Sequence, residues 1–242
     1  MTKGTHAPKP QTLSSMQPYF QQGAVTLYHG KVEDLVPHIE FDQHTAISDP
    51  PYNVGYHYDD CEDSMDEDEY FKFMAAVFHD KAVLIHYPEA MYRIARAMDR
   101  FPERVVAWVY PSNTPRQHRS IAWFGCKPDF RKEGQDYRNP TDPRIAARIR
   151  AGKRARLYDW WEINQVKNVS AEKTEHPCQI PMSLMQRIIK VTAPTSVLDP
   201  FAGSGTTLLA AQSLGVPCVG IEMSERYCEI IARRLTNAAR LL

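Results

Sequence analysis

Two hydrophobic rhythms alternate along the chain. Short, nearly continuous apolar runs at Ala24 to His29, Thr45 to Ser48, Ala82 to Ile85 and Arg104 to Tyr110 read as buried strands. Between them, a weakly helical stretch through Val32 to Ile39 and clearer ones at Glu67 to His79 and Pro88 to Met98 carry helical spacing. Tyr70, Phe71, Met74, Val77 and Phe78 mark the second of these. A β-α-β-α-β order implies parallel strands, right-handed crossovers and helices on both faces. Ile121 to Cys126 adds a strand, and then the rhythm stops. It resumes with a helix at Pro181 to Val191, strand Ser196 to Leu198, helix Thr206 to Leu214, strand Pro217 to Ile221 and helix Glu225 to Leu235. The predicted architecture is a doubly wound α/β domain, interrupted once.

These breaks divide the chain into a mobile polar arm (1–22), one half of the domain (23–126), an insertion (127–175) and a second half (176–242). A chain of 242 residues with 43% hydrophobic content can build one sizeable core unaided. The five cysteines are scattered, without a Cys-x-x-Cys pair or a histidine at zinc spacing, so reduced thiols and no metal are expected. No apolar run is long enough to span a membrane, and no signal-peptide pattern is present, which favours a cytoplasmic protein. The formal charge is zero but unevenly spread. Asp49 to Glu69 holds nine carboxylates and no Lys or Arg, whereas Lys127 to Arg156 holds ten cations against four anions. The first segment repels phosphate and the second attracts it.

Val197-Leu198-Asp199-Pro200-Phe201-Ala202-Gly203-Ser204-Gly205-Thr206-Thr207 places a carboxylate at a strand end, then two glycines in a turn, then a helix start. In an open parallel sheet such a turn lies at the ligand-binding edge. A Gly-x-Gly turn alone also fits an ordinary strand-to-helix connection. Here the turn has no lysine, and Glu222 closes the next strand, where a carboxylate can accept ribose hydroxyls. A ribose-bearing ligand without phosphates is implied.

Together with Glu222, Asp-Pro-Phe-Ala-Gly-Ser-Gly-Thr-Thr resembles motifs I and II of the amino-methyltransferases that use S-adenosylmethionine. Asp49-Pro50-Pro51-Tyr52 resembles their motif IV, and His176-Pro177-Cys178-Gln179-Ile180-Pro181 their motif X. The order, IV before the insertion and X and I after it, is that of the β class of DNA methyltransferases. The resemblance implies a Rossmann-like fold with a mostly parallel seven-stranded sheet, and a target-recognition role for the insertion. It implies work on double-stranded DNA as a homodimer, alone or in a restriction-modification pair. It places Asp199, Phe201, Gly203, Gly205 and Thr206, with the intervening Pro200, Ala202 and Ser204, at the cofactor, Glu222 on its ribose, and Lys173 and His176 beside it. His176 also fits a helix-entry residue bonded to backbone. Two positions depart from the pattern. Gly30-Lys31 stands where a Gly-Asp pair often touches the cofactor adenine, and Ile180 replaces the motif X lysine.

An exocyclic amine on a base is a poor nucleophile because its lone pair is delocalised. Asp49 can accept one amino hydrogen and the Pro50 carbonyl the other, directing the lone pair at the methyl group. Tyr52 offers a ring for stacking on a base turned out of the duplex. Pro177-Cys178-Gln179 matches the nucleophilic tripeptide of cytosine carbon-5 enzymes, but it sits in the motif X frame upstream of motif I, so that chemistry is rejected. Arg144, Arg148, Arg150, Lys153, Arg154 and Arg156 form a cationic stretch suited to phosphates or, more plainly, a solvated helix face. Trp160 and Trp161 stack on bases or anchor the insertion, with anchoring preferred. The acidic loop at 59–69 is expected to face solvent or a partner and to order with substrate. Because Asp begins the tetrad, adenine N6 is the expected target. Cytosine N4, an RNA substrate, or a silent DNA-binding module are the alternatives.

Overall fold

The computed structural model describes residues 13, 16–58 and 61–240. In chain order the elements are β1 (Phe20–Gln22), β2 (Val25–His29), α1 (Val32–Leu35), β3 (Thr45–Ser48), β4 (His57–Tyr58), β5 (Cys61–Glu62), α2 (Glu67–Val77) and β6 (Ala82–His86). Next come α3 (Pro88–Ala97), β7 (Arg104–Val109), β8 (His118–Phe124), β9 (Gly134–Gln135), α4 (Pro143–Arg150), β10 (Ala155–Arg156) and β11 (Trp160–Glu162). The chain closes with α5 (Met182–Thr192), β12 (Val197–Asp199), α6 (Thr206–Ser213), β13 (Cys218–Glu222) and α7 (Glu225–Ala239).

The main sheet runs β1-β2-β13-β12-β3-β6-β8-β7-β11. It is the doubly wound, mostly parallel sheet that the rhythm predicts, with nine strands where seven were expected. Both additions lie at the edges. Phe20–Gln22 pairs antiparallel with β2, inside the stretch read as a mobile arm, and Leu13 is buried in the core. Residues 1–12 of that arm lie outside the described residues. At the other edge, β11 pairs in parallel with β7, so the insertion contributes a strand of its own.

Strand β8 runs antiparallel to both β6 and β7 and lies between them. Its direction follows from chain length. Only residues 110–117 separate β7 from β8, which suffices for a hairpin and falls short of a parallel crossover. Consequently β8 presents its first residues to the end of the sheet where the parallel strands present their last.

The central strands are apolar on both faces because both faces are covered. In β6, Val83 and Ile85 join a cluster with Leu184, Ile188, Leu208 and Ile231 of α5, α6 and α7. Ala82 and Leu84 join Tyr70, Met74, Met91 and Ile94 of α2 and α3 on the opposite face. The winding reverses between β12 and β3, the position at which open α/β sheets bind ligands beyond their strand ends.

Candidate active site

The strands that meet at this reversal end in Ser48 and Asp199, and the Ser48 hydroxyl donates to Asp199 Oδ1 at 2.6 Å. The tetrad begins one residue beyond Ser48, and the glycine turn one residue beyond Asp199. Segments 150 positions apart in the chain thus lie side by side. Both open into one cleft of about 370 Å³. Asp49, Pro50, Pro51, Tyr52, Pro200, Phe201, Gly203, Glu222 and His176 all line it.

On the glycine side, binding capacity is built largely from backbone. Gly203 and Gly205 hold φ of 52° and 76°, where other residues are strained. A Cβ on Gly205 would lie 2.8 Å from Ile231 of α7, so the turn is pressed onto that helix. Glu222 Oε2 accepts the Gly203 amide at 2.7 Å and Oε1 the Ser224 amide at 2.9 Å. Burial pushes Glu222 up to about 7, against those amides. The Met223 amide also bears on this carboxylate, which with about four acceptor sites keeps capacity beyond the three amides. Burial also raises Asp199, which the Ser48 and Thr207 hydroxyls and the Phe201 amide oppose. Asp199 serves as a buried brace of the turn. Ala202, Ser204, Gly205 and Thr206 stand behind the cleft wall. Ser204 and Thr206 share a hydroxyl contact of 3.0 Å, and Arg234 of α7 donates to the Ser204 carbonyl. Lys173 is likewise off the wall, its amino group donating to the His176 carbonyl. It braces motif X from behind. His176 packs its ring edge-on to Tyr227 at 4.7 Å and against Gly203.

The tetrad side is built from side chains. The Tyr52 hydroxyl donates to Asp49 Oδ1, and Arg119 Nη1 lies 3.8 Å from Asp49 Oδ2. Burial pushes Asp49 up to about 6, with Arg119 and the Tyr52 hydroxyl pulling it down and Asp199 adding a smaller upward push. His86, the last residue of β6, stacks on the Tyr52 ring at 4.3 Å. The Tyr87 amide donates to His86 Nδ1 at 2.7 Å, so the imidazole proton sits on Nε2, 2.8 Å from the Tyr70 oxygen. The Tyr70 hydroxyl in turn donates to the Pro51 carbonyl at 2.7 Å. Burial, aided by Arg119, holds His86 down near about 3, so the imidazole is neutral. This relay fixes the Pro51 carbonyl and the Tyr52 ring together.

The acidic loop is tied in more closely than expected. Asp63 is buried, and its carboxylate accepts the Asn53 and Val54 amides at 2.7 and 3.1 Å. Asn53, at a positive φ that asparagine tolerates, exchanges two hydrogen bonds with the Met65 backbone. Ser64 and Met65 thereby become cleft wall, while residues 59 and 60 lie outside the described residues.

In the insertion, Trp161 is fully buried, edge-on to Trp123 and Phe130, so it anchors. Trp160 is exposed, under the Arg138 guanidinium at 4.5 Å. Helix α4 starts on an Asp142 cap and buries no residue. Arg144 pairs with that same Asp142, and Arg154 with Glu133 and Asp136, while Arg148, Lys153 and Arg156 are exposed. Glu133 also binds Lys190 near the end of α5. The strands that carry α4 are therefore rooted at the end of the sheet opposite the cleft. Spacing and the family resemblance together singled out the tetrad, the turn and Glu222. They missed Arg119, His86, Tyr70 and Asp63 as site residues: Arg119 and His86 show only as polar residues at strand ends, Asp63 as one carboxylate of an acidic loop, and Tyr70 as one apolar position on a helix. Among the described residues, no helix is long and apolar enough to cross a membrane, and no group of three or more His, Cys, Asp or Glu side chains could hold a metal ion.

Comparison with known proteins agrees with this geometry. A family model described as DNA methylase matches residues 43–233. The type II methyltransferase M.ScaI of Streptomyces caespitosus is 28% identical over 93% of the chain and 86% of its own length. The DNA adenine methyltransferase YhdJ of Escherichia coli K12 is 25% identical over 91% of the chain and 85% of its own length. Among solved structures, the cytosine-N4-specific PvuII DNA methyltransferase superposes with a TM-score of 0.65 at 16% identity, covering 92% of this chain and 94% of that one. The M1.HpyAVI complex with S-adenosylmethionine gives 0.55 at 23% identity, covering 87% and 100%. Because the matched span takes in both walls of the cleft, from the strand before the tetrad to the helix behind the glycine turn, the chain belongs to the N6/N4 family of DNA methylases.

Proposed function

We propose that this protein methylates the N6 amino group of adenine in double-stranded DNA, using S-adenosylmethionine. The observation that carries amino methylation is the Ser48–Asp199 hydrogen bond of 2.6 Å, which sets the tetrad beside the glycine turn. The donor set suits this cofactor. Glu222 retains acceptor capacity for ribose hydroxyls, Phe201, Phe73, Met74, Ile221 and Tyr227 give apolar walls, and Gly203 brings backbone to the cleft surface. Lys31 and Glu33 stand at the same wall, in the region where the Gly-Asp pair of the resemblance is replaced. When bound, S-adenosylmethionine supplies an electrophilic methyl group on a sulfonium.

The chain's own residues prepare the amine. As a carboxylate, Asp49 accepts one amino hydrogen, and the Pro50 carbonyl accepts the other, leaving the nitrogen lone pair exposed. His86 stacks on Tyr52 and Arg119 lies over the same ring, so a base turned out of the duplex would meet Tyr52 where its ring borders the cleft. The exposed Arg148, Lys153 and Arg156 meet phosphates, and Arg144 and Arg154 join them once their acidic partners yield. Because α4 is rooted away from the cleft, two copies acting as a homodimer would surround a duplex more fully than one.

Adenine is favoured over cytosine because aspartate begins the tetrad and YhdJ is an adenine enzyme. Expression in a methylation-deficient host, then DNA hydrolysis and nucleoside analysis, tests this. N6-methyladenine is expected, and N4-methylcytosine in its place would reassign the target. Long-read methylation mapping of the same DNA returns the site, expected to be short because the insertion is short.

A further inference from the structure

Arg119 lies outside the tetrad, the glycine turn and the acidic loop, yet it lines the cleft. It can do so because β8 is antiparallel, and its second residue emerges among the final residues of parallel neighbours. Its guanidinium carbon lies 5.0 Å from the centre of the Tyr52 ring and 5.3 and 5.9 Å from those of Trp108 and Tyr110. Its Nε is buried without a hydrogen-bond partner among the described residues. Side-chain exposure is 15% for Arg119 and 12% for Asp49, so the pair is largely withdrawn from water. A guanidinium there loses hydration that the 3.8 Å contact with Asp49 and a side-chain hydrogen bond to Tyr110 replace only in part. Aromatic faces offset some of that cost without neutralising the charge.

We propose that Arg119 is the positioning residue of the catalytic carboxylate, holding Asp49 ionised and oriented so that it can accept an amino hydrogen of the base. The proposal rests on the amino-methylation reading above. Groups facing Asp49 come from every neighbouring element: Tyr52 of the tetrad, Asp199 at the end of β12, Tyr70 of α2, Tyr110 after β7, and His86 and Tyr87 at the end of β6. His86 is neutral, Tyr52, Tyr70 and Tyr110 carry their protons and Asp199 is a like-charged neighbour. Arg119 is the one fixed cation among them. Without it, burial and Asp199 are opposed only by the Tyr52 hydroxyl, and the carboxyl takes up a proton at a higher pH. A protonated carboxyl presents a donor where the amine needs an acceptor.

The test compares Arg119→Met and Arg119→Lys with the unaltered protein. Titration of the Asp49 carboxyl is followed by carbon-13 NMR in aspartate-labelled protein without substrate, the signal being identified by its loss in Asp49→Asn. The midpoint should rise by about one pH unit or more in Arg119→Met and return most of the way in Arg119→Lys. The acid limb of kcat should move by the same amount, so that a one-unit shift costs Arg119→Met about threefold more activity near pH 6.5 than near pH 8.5. An unchanged midpoint in folded Arg119→Met overturns the proposal, as does Arg119→Lys behaving like Met. Should Arg119→Met fail to fold, Arg119→Gln replaces it, and equal midpoints for Gln and Lys are decisive against. Because the titration uses no DNA, absence of methyl transfer by the unaltered protein refutes the functional reading alone.

Discussion

The two walls of the cleft are made differently. The glycine wall is a continuous segment, Asp199 to Thr206, whose shape depends on φ values and amides and which α7 presses from behind. The tetrad wall is four residues whose posture depends on side chains from β6, α2 and β8, namely His86, Tyr70 and Arg119. A wall built from backbone fails by losing its fold. A wall built from side chains can lose function while the fold persists, because each partner can be removed separately.

Substitutions should separate the two walls. The largest expected effect on chemistry is that of Asp49→Ala, which should lower methyl transfer by about 10³-fold while calorimetry still detects cofactor binding. If cofactor binding vanished too, the walls would not be independent. Gly205→Ala should act oppositely. It forces a side chain into a left-handed turn and against Ile231, destabilising the fold by about 1–3 kcal/mol in thermal denaturation and weakening cofactor binding. A melting temperature unchanged by Gly205→Ala would remove the basis for calling that wall rigid.

Tyr70→Phe comes next. It leaves the Pro51 carbonyl and His86 without their shared hydroxyl, at a cost of about 1–2 kcal/mol, and should lower kcat about tenfold with little change in cofactor affinity. The smallest effect is on pH dependence. Glu222 holds its proton up to about 7 in the folded chain, above the carboxylate's ordinary value, so the folded state binds more protons than the unfolded one between those limits. Stability from this group is therefore gained as pH falls through about 7. From about pH 8 to pH 6 the cofactor-free protein should gain about 1 kcal/mol relative to Glu222→Gln, as measured by urea unfolding. An equal gain in both proteins would show that Glu222 is not the group responsible.

The same contrast explains what could be read in advance. The winding, the glycine turn and Glu222 are legible because each depends on neighbours in sequence: buried strands as apolar runs, and a tight turn as glycines at fixed spacing. Tyr70 counted as one apolar position on a helix, yet its ring packs in the core and its hydroxyl supports Pro51. His86 and Arg119 were invisible because their partners are distant in sequence: Tyr70 of α2 and Tyr52 for His86, and Asp49 and Tyr52 for Arg119. The antiparallel direction of β8 was accessible, since residues 110–117 are too few for a crossover. The edge strands were missed because three-residue pairings need no apolar run, and Trp160-Trp161-Glu162 reads equally well as loop. Lys173 differs for another reason: motif proximity put it at the cofactor, and in the structure its long side chain reaches the His176 and Pro177 carbonyls.

The strand that the insertion lends to the sheet limits how this protein could be re-engineered. If 127–175 is the recognition segment that the family resemblance implies, exchanging it for that of another protein would strip β11 from β7 and take Trp161 out of the core, exposing an open sheet edge of the kind that promotes aggregation. A chimaera should therefore be joined inside the β9–β10 ribbon, with Ala155–Arg156 and everything after it kept from the host. Helix α4 buries no residue of its own, which makes it the natural cassette, so new specificity could be grafted there without disturbing the scaffold that performs the chemistry.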